Sequence, residues 1–294
     1  MTDSFIKKLI LFGIDKLILC TKTYAVLDSR FIQQPYPIML KHGDINKISD
    51  YFKLKLDDDE SHNVYNLYLD QSWKTNIRYS ISISSHGYLY LKLFLPRYLS
   101  KIHNLFLVNT SDLIPKILDE IKRDIQQHIT VDLESMEIHS VELARQFQTL
   151  HQFGAYFPVF NLLKGNRFAV SSHRETSFQW GVKHKKFQIY DKMEQLRSYY
   201  RRHIAKYKCK FTRGERHGLD YHRHQNHVAM MDFCKADHNI IRAELKLKSR
   251  KVIQKELGIQ TFEQLCNTPM SMLEKYYNWI VRYLMLTEEL KNVQ

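Results

Sequence analysis

Ile77-Arg78-Tyr79-Ser80-Ile81-Ser82-Ile83 and Tyr88-Leu89-Tyr90-Leu91-Lys92-Leu93 each change residue character with a period of two, and Ser85-His86-Gly87 stands between them. Successive side chains of an extended chain point to opposite faces, so two such runs around a glycine-containing turn read as a β-hairpin. Next, Asn109-Thr110-Ser111-Asp112-Leu113 supplies helix-capping residues for DLIPKILDEIKRDIQQH, in which Leu113, Ile117, Ile121 and Ile125 recur every four residues. A strand is expected at 137–144. Strands, a helix and a strand again make an α+β pattern with antiparallel sheets and packed helices.

The same order returns in the second half. After a less regular region, 150–172, with Gly154, Pro158 and Lys164-Gly165-Asn166, strands are expected at Phe178-Gln179-Trp180 and at 186–190. A basic helix follows from Asp191 to about Lys208, then a polar, histidine-rich loop (214–227) and a strand over 239–248. From Thr261 the pattern is helical to the end. The reading is two similar halves within a main domain, 1–258, followed by a helical C-terminal region, 259–294. The opening stretch, MTDSFIKKLILFGIDKLILC, is short, interrupted by Lys16 and without a small-residue cleavage site, so it reads as a buried first strand and not a signal peptide.

The chain has 294 residues, 44% hydrophobic and 26% charged, which is globular composition and excludes a disordered chain. No apolar run reaches the roughly 18–20 residues of a membrane helix. Cys20, Cys209, Cys234 and Cys266 form no CxxC pair, which argues for a reducing compartment and against a zinc-thiolate site. The net charge of +13 is concentrated. Residues 1–160 hold 18 Lys+Arg and 18 Asp+Glu, whereas residues 161–294 hold 26 and 13. A neutral scaffold half (1–160) and a basic half (161–258) point to a polyanion-binding surface; a merely solvated basic face is the plain alternative.

Three strands carry polar residues that repay a face-by-face reading. In IIRAELKLKSRK, Ile241, Ala243, Leu245 and Leu247 point to a core, leaving Arg242, Glu244, Lys246 and Lys248 on the other face. A carboxylate among cations is either a salt-bridge partner or a ligand for a divalent metal in a phosphate-binding groove. In KHKKFQIYDK, Phe187 and Ile189 share one face, and Tyr190 stands with Lys186 and Gln188 on the other, a basic polar surface. In EIHSVELAR, Val141 and Leu143 face inward and Ser140 and Glu142 outward.

The order and spacing of four stretches resemble the gene II/gene X replication-initiation proteins of filamentous phages, which nick one strand of a duplex origin to start rolling-circle replication. LPRYLSKIHNLFLVNTSDL resembles the family's hairpin-to-helix stretch, and HSVELA lies where the family has an R-I-D strand. ETSFQWGVKHKKFQIYDKMEQL is similar to its T-x-x-W … Y-x-K segment, and IIRAELKLKSRKVIQKELG to its L-R-x-E-x-x-x-K-x-R-x-L-x-x-x-G segment. The four span roughly residues 80 to 258, and GIDKLIL fits the family's opening strand.

The resemblance implies roles. Tyr190 falls on the nucleophilic tyrosine that attacks the scissile phosphate, and Lys192 on the lysine that stabilises charge there. Glu244 and Arg242 match the R-x-E strand, and Glu142 takes the place of the aspartate in R-I-D, with Ser140 where arginine is usual. Glu194 comes one position before the family's glutamate, leaving Gln195 in its place. A divalent cation, Mg²⁺ or Mn²⁺, on Glu142 and Glu244 would polarise the phosphate and favour the phenolate. The expected phosphate contacts are Lys183, Lys185, Lys186, Arg197, Arg201, Arg242, Lys246, Lys248 and Arg250. The partners implied are duplex origin DNA, the displaced single strand, and a host helicase and polymerase in the cytoplasm of a bacterial cell, with no membrane.

Two rival readings stand beside this one. His217, His222, His224 and His227 lie together, and histidines of this kind ligate metal in nucleases that use paired tyrosines, here Tyr199-Tyr200; Arg223 between His222 and His224 departs from that pattern. The other rival is a non-catalytic single-strand DNA-binding or repressor protein, for which basic grooves with aromatics suffice. A pure binder has no need of Glu142 and Glu244 on a basic face.

Overall fold

A computed structural model of the chain describes residues 12–27, 54–56, 64–67, 78–84, 88–99, 105–110, 114–126, 129–162, 170–173, 176–212, 219–235 and 239–285. In chain order the elements begin with β1 (Phe12–Thr21), β2 (Ala25–Val26), β3 (Leu54–Leu56), β4 (Val64–Leu67), β5 (Tyr79–Ser84) and β6 (Leu89–Leu93). Then come α1 (Pro96–Leu99), α2 (Ile114–Ile125), β7 (Ile129–Thr130) and β8 (Glu137–Gln148). A 3-10 turn at Phe153–Tyr156 leads into α3 (Phe157–Leu162), followed by β9 (Val170–His173), β10 (Ser177–Val182), β11 (Lys185–Asp191), α4 (Lys192–Thr212) and α5 (Leu219–Lys235). The last elements are β12 (Ile240–Leu247), α6 (Arg250–Leu257), α7 (Phe262–Cys266) and α8 (Met270–Met285). The class is α+β, with antiparallel strand pairs and C-terminal helices.

The chain forms two compact units, Met1–Leu143 with Lys246–Tyr277 and Ala144–Leu245 with Asn278–Gln294. This division falls within β8, β12 and α8, and not at the boundaries near 160 and 258 expected from charge and pattern. The C-terminal helices return to the first unit through backbone bonds: Ile138 N donates to Gln260 O at 2.8 Å and Phe262 N to Met136 O at 2.9 Å.

In the first unit the strand order is β3-β4-β5-β6-β1-β8. The β5–β6 hairpin pairs Ile81 with Leu91 and Tyr79 with Leu93, and β1 sets Leu17 and Leu19 against Leu93 and Leu91. These leucines and Ile81 are fully buried, so the alternation seen in the sequence is the alternation of the core face. The expected turn Ser85-His86-Gly87 and the capping residues Ser111 and Asp112 lie outside the described residues. Helix α2 places Ile117, Ile121 and Ile125 in the core, as a four-residue apolar spacing requires, and Lys122 and Arg123 occupy its last turn, where cations favour the helix dipole.

The second unit orders its strands β12-β11-β10-β9. Val182 pairs with Lys185, leaving Lys183-His184 as a two-residue turn between β10 and β11. Gly181 has φ of 134°, and a Cβ there would stand 2.1 Å from Lys185 O, so only glycine fits. The core is aromatic: Trp180 lies 5.8 Å from both Phe178 and Phe187, and all three are buried.

Helix α5 corrects one expectation. The histidine-rich stretch is not a loop from 219 onward but a helix that packs on α4. It has no Gly or Pro over Leu219–Lys235, and His227 and Cys234, two turns apart, are buried on one face. The irregular region likewise contains the 3-10 turn and α3, while Lys164-Gly165-Asn166 lies outside the described residues. Among the described residues, no helix is long and apolar enough to cross a membrane.

Candidate functional site

Strand β11 ends where α4 begins, and this junction builds the site in the second unit. Asp191 Oδ1 accepts from Glu194 N at 2.9 Å, the bond of an N-cap, so the helix starts at Lys192 immediately behind Tyr190. Tyr190 donates its hydroxyl hydrogen to Glu244 Oε1 on β12. Lys192 is fully buried, its Nζ 5.6 Å from the centre of the Tyr190 ring, and it donates to Gln195 Oε1 at 2.7 Å. A phenol, a carboxylate and an ammonium thus meet at one helix start.

The sequence reading put Tyr190 and Glu244 on an open polar surface. Instead Tyr190 is 5% exposed and Glu244 4%, because both faces of β11 and β12 are covered in this region. Arg242, expected as a phosphate contact, is fully buried and directs Nε (3.1 Å) and Nη2 (2.6 Å) to Gln146 Oε1. A guanidinium taken out of water needs such acceptors, and here its role includes tying β12 to β8 within the unit.

Glu194 meets Arg197 Nε at 3.3 Å and Arg201 Nη2 at 3.2 Å. Gln195, in the place where the resembled family has glutamate, is the residue that reaches Lys192. Sequence alignment by motif could not show this; helical geometry does, since residues three apart share a face.

In the first unit Glu142, 6% exposed, accepts from Lys16 Nζ at 3.1 Å and lies 3.7 Å from Lys246 Nζ. Asp15 offers a carboxylate oxygen within 4.8 Å of one on Glu142. The sequence analysis missed Asp15. Its signal was a single acid inside the apolar strand FGIDKLILC, where a carboxylate is costly without a role or a partner. Two carboxylates at this separation suit a hard cation with oxygen ligands, and Lys16 and Lys246 offset the charge of Glu142.

The remaining cations fall into three groups. Lys183 and Lys248 are exposed, and Lys185 and Lys186 are half-buried along the β10–β11 hairpin. Arg197 and Arg201 share Glu194. Arg250 pairs with Glu137 and lies 5.3 Å over the Tyr88 ring. Of the histidines, His217 lies outside the described residues and His222 falls in α5. His224 is half-buried, and His227 is buried with its ring 6.3 Å from Tyr199 and 5.6 Å from Tyr200.

No protein-family model, curated protein or solved structure matches the chain.

Proposed function

We propose that the chain is a rolling-circle replication initiator that nicks one strand of a duplex origin by tyrosine transesterification and can reseal it. The observation that carries this reading is the buried Tyr190–Glu244 hydrogen bond beside the Lys192 ammonium. An ordinary phenol, with a pKa of about 10, is a poor nucleophile until a base removes its proton and cations hold the anion.

In the proposed step Glu244 takes the phenol proton as Tyr190 Oη attacks phosphorus. The Oη–P bond forms and the P–O3′ bond breaks; the 3′ oxygen leaves with a proton from solvent, and the 5′ phosphate stays on Tyr190. Lys192 holds charge at the attacking oxygen. A Mg²⁺ or Mn²⁺ ion on the Glu244 carboxylate would add Lewis-acid polarisation of the phosphate when bound. The phosphotyrosine conserves the bond energy, so attack by a 3′-hydroxyl reverses the step and closes the strand. Because Tyr190 is 5% exposed, DNA reaches it only when the side chains over it move.

The charge supports the same reading. The second unit carries 21 Lys+Arg against 10 Asp+Glu, so +11 of the net +13 accompanies Tyr190. The proposed partners are origin duplex, displaced single strand, and a bacterial host's helicase and polymerase. The test is incubation with supercoiled DNA carrying the cognate origin and Mg²⁺. Open circles with protein covalently on a DNA end are expected from the wild type and not from Tyr190→Phe. Equal nicking by both sinks the assignment of Tyr190; binding without nicking under any metal supports the non-catalytic binder.

A further inference from the structure

Between the end of β8 and α3 the second unit shows apolar side chains to solvent. Leu150 is 91% exposed, Val159 55% and Phe147 43%, which is unusual for three large apolar residues within thirteen positions. A row of rings leads inward from them. His151, exposed, lies 6.4 Å from Tyr156; Tyr156 lies 6.4 Å from Phe160; Phe160 lies 5.3 Å from buried Phe153 and 5.5 Å from buried Phe178. The outer rings are therefore backed by the aromatic core and held in place, while their own surface is only partly covered. Asn239 anchors the segment, accepting from Thr149 N at 2.9 Å and donating to Leu150 O at 3.4 Å.

The composition of this stretch of sequence selects its occupant. Residues 144–174 contain no Asp or Glu, and they include Arg145, Lys164, Arg167 and Arg174. An acid-free stretch with apolar rings suits a flexible polyanion whose bases are unstacked, since every base has a π-face and stacking is tolerant of sequence. A protein-docking patch has no reason to exclude carboxylates over 31 residues. We infer that the surface formed by Phe147, Leu150, His151, Tyr156, Val159 and Phe160 is a stacking platform for the bases of single-stranded DNA. This rests on the nucleic-acid reading above but not on Tyr190 chemistry.

Three residues away from Tyr190 test it. Leu150→Ser and Val159→Ser remove apolar surface without changing charge, and their exposure makes folding safe to check by circular dichroism. The probe is fluorescently labelled oligothymidylate, titrated at several salt concentrations. Each substitution should weaken binding about ten-fold, with the slope of log affinity against log salt unchanged. Lys183→Gln, which removes a cation, should instead reduce that slope by about 0.7. Oligothymidylate binding that is absent in the wild type, or equal in Leu150→Ser and wild type, overturns the inference. So does a concentration-dependent dimer in sedimentation equilibrium that Leu150→Ser abolishes, because the patch would then bind a second copy. A wild type that binds oligothymidylate through Leu150 yet never nicks supercoiled DNA leaves this surface standing and removes the nicking reading alone.

Discussion

The Tyr190 hydroxyl donates to Glu244 across the neighbouring strands β11 and β12, and both side chains are buried. The carboxylate therefore sits where it can receive the phenol proton. In the nicking reaction proposed above, Glu244→Gln keeps an acceptor of the same shape but removes the base, so Tyr190 stays placed and loses activation. Nicking should fall by about 10²–10⁴-fold, the usual contribution of a positioned base, while the melting temperature changes little. Tyr190→Phe should abolish the covalent protein–DNA adduct. A Glu244→Gln enzyme with wild-type nicking rates would remove Glu244 from the reaction.

Lys192 and Gln195 give a stability prediction with an internal order. The Lys192 ammonium is buried and Gln195 accepts from it at 2.7 Å. Gln195→Ala deletes a hydrogen bond to a charged group and should cost about 1.5–3 kcal/mol. Gln195→Glu replaces a neutral acceptor with a charged one and should be at least as stable as wild type. Thermal unfolding of the three proteins should rank Ala below Gln, with Glu at or above it. Identical melting temperatures would mean that the Gln195 side chain does not hold Lys192 in solution.

How far the sequence discloses this arrangement differs from element to element. The hairpin and the Ile117–Ile125 stripe were legible because local periodicity maps directly onto a buried face. Tyr190, Glu244 and Arg242 were expected on an open polar face, yet all three are buried. Alternation tells which side chains point together; it does not tell whether solvent or protein lies beyond. Helix α5 was hidden by its polar, histidine-rich composition, since the buried positions among its described side chains are His227 and Cys234. Asp15 was legible only as an anomaly within an apolar strand, and its pairing with Glu142 depends on contacts 127 positions apart.

His139 makes stability depend on pH. Its pKa is lowered from 6.5, first by burial and then by the charge of Arg250, and its ring lies 5.1 Å from Tyr90. The charged group acting on it is Arg250. The folded chain holds His139 neutral, whereas the unfolded chain takes up a proton as the pH falls through about 6.5. Stability from this residue is therefore complete above 6.5 and is lost as the pH falls from 6.5 toward the lower folded value. Urea midpoints should drop between pH 7.5 and pH 5, and His139→Gln should reduce that drop. An unchanged pH dependence in His139→Gln would assign the acid sensitivity to other groups.

The two buried thiols, Cys20 and Cys234, and the half-buried Cys266 should resist modification in the folded chain. Desolvation raises Cys20, Cys234 and Cys266 to about 11, so at pH 8 the thiolate is roughly 200-fold scarcer than for a free cysteine near 8.5. Iodoacetamide at pH 8 should label these three slowly in native protein and quickly in urea, as read by peptide mass spectrometry. Rapid native labelling of Cys20 or Cys234 would contradict their packing.

Gly181 governs whether the β10–β11 hairpin can present Tyr190 at all. The strand register runs from Val182–Lys185 at the turn to Ser177–Tyr190 at the far end, so a distortion near the turn is transmitted along six residue pairs. At Gly181, φ is 134° and an added methyl would meet Lys185 O at 2.1 Å. Alanine must either adopt a strained backbone or break the pairing, at a cost of about 3 kcal/mol. Gly154 is the matched control in the same unit, because a Cβ there meets nothing within 4 Å. Gly154→Ala should unfold at the wild-type urea midpoint or slightly above it, with Trp180 fluorescence as the probe, since Trp180 is fully buried beside the hairpin core. Gly181→Ala should unfold at a clearly lower midpoint, and on the nicking reaction proposed above its activity should fall further than its folded fraction does, because the pairing that holds Tyr190 opposite Ser177 is disturbed even in folded molecules. Equal midpoints for the two alanine variants would show that the turn relaxes without cost and that the hairpin does not set the position of Tyr190.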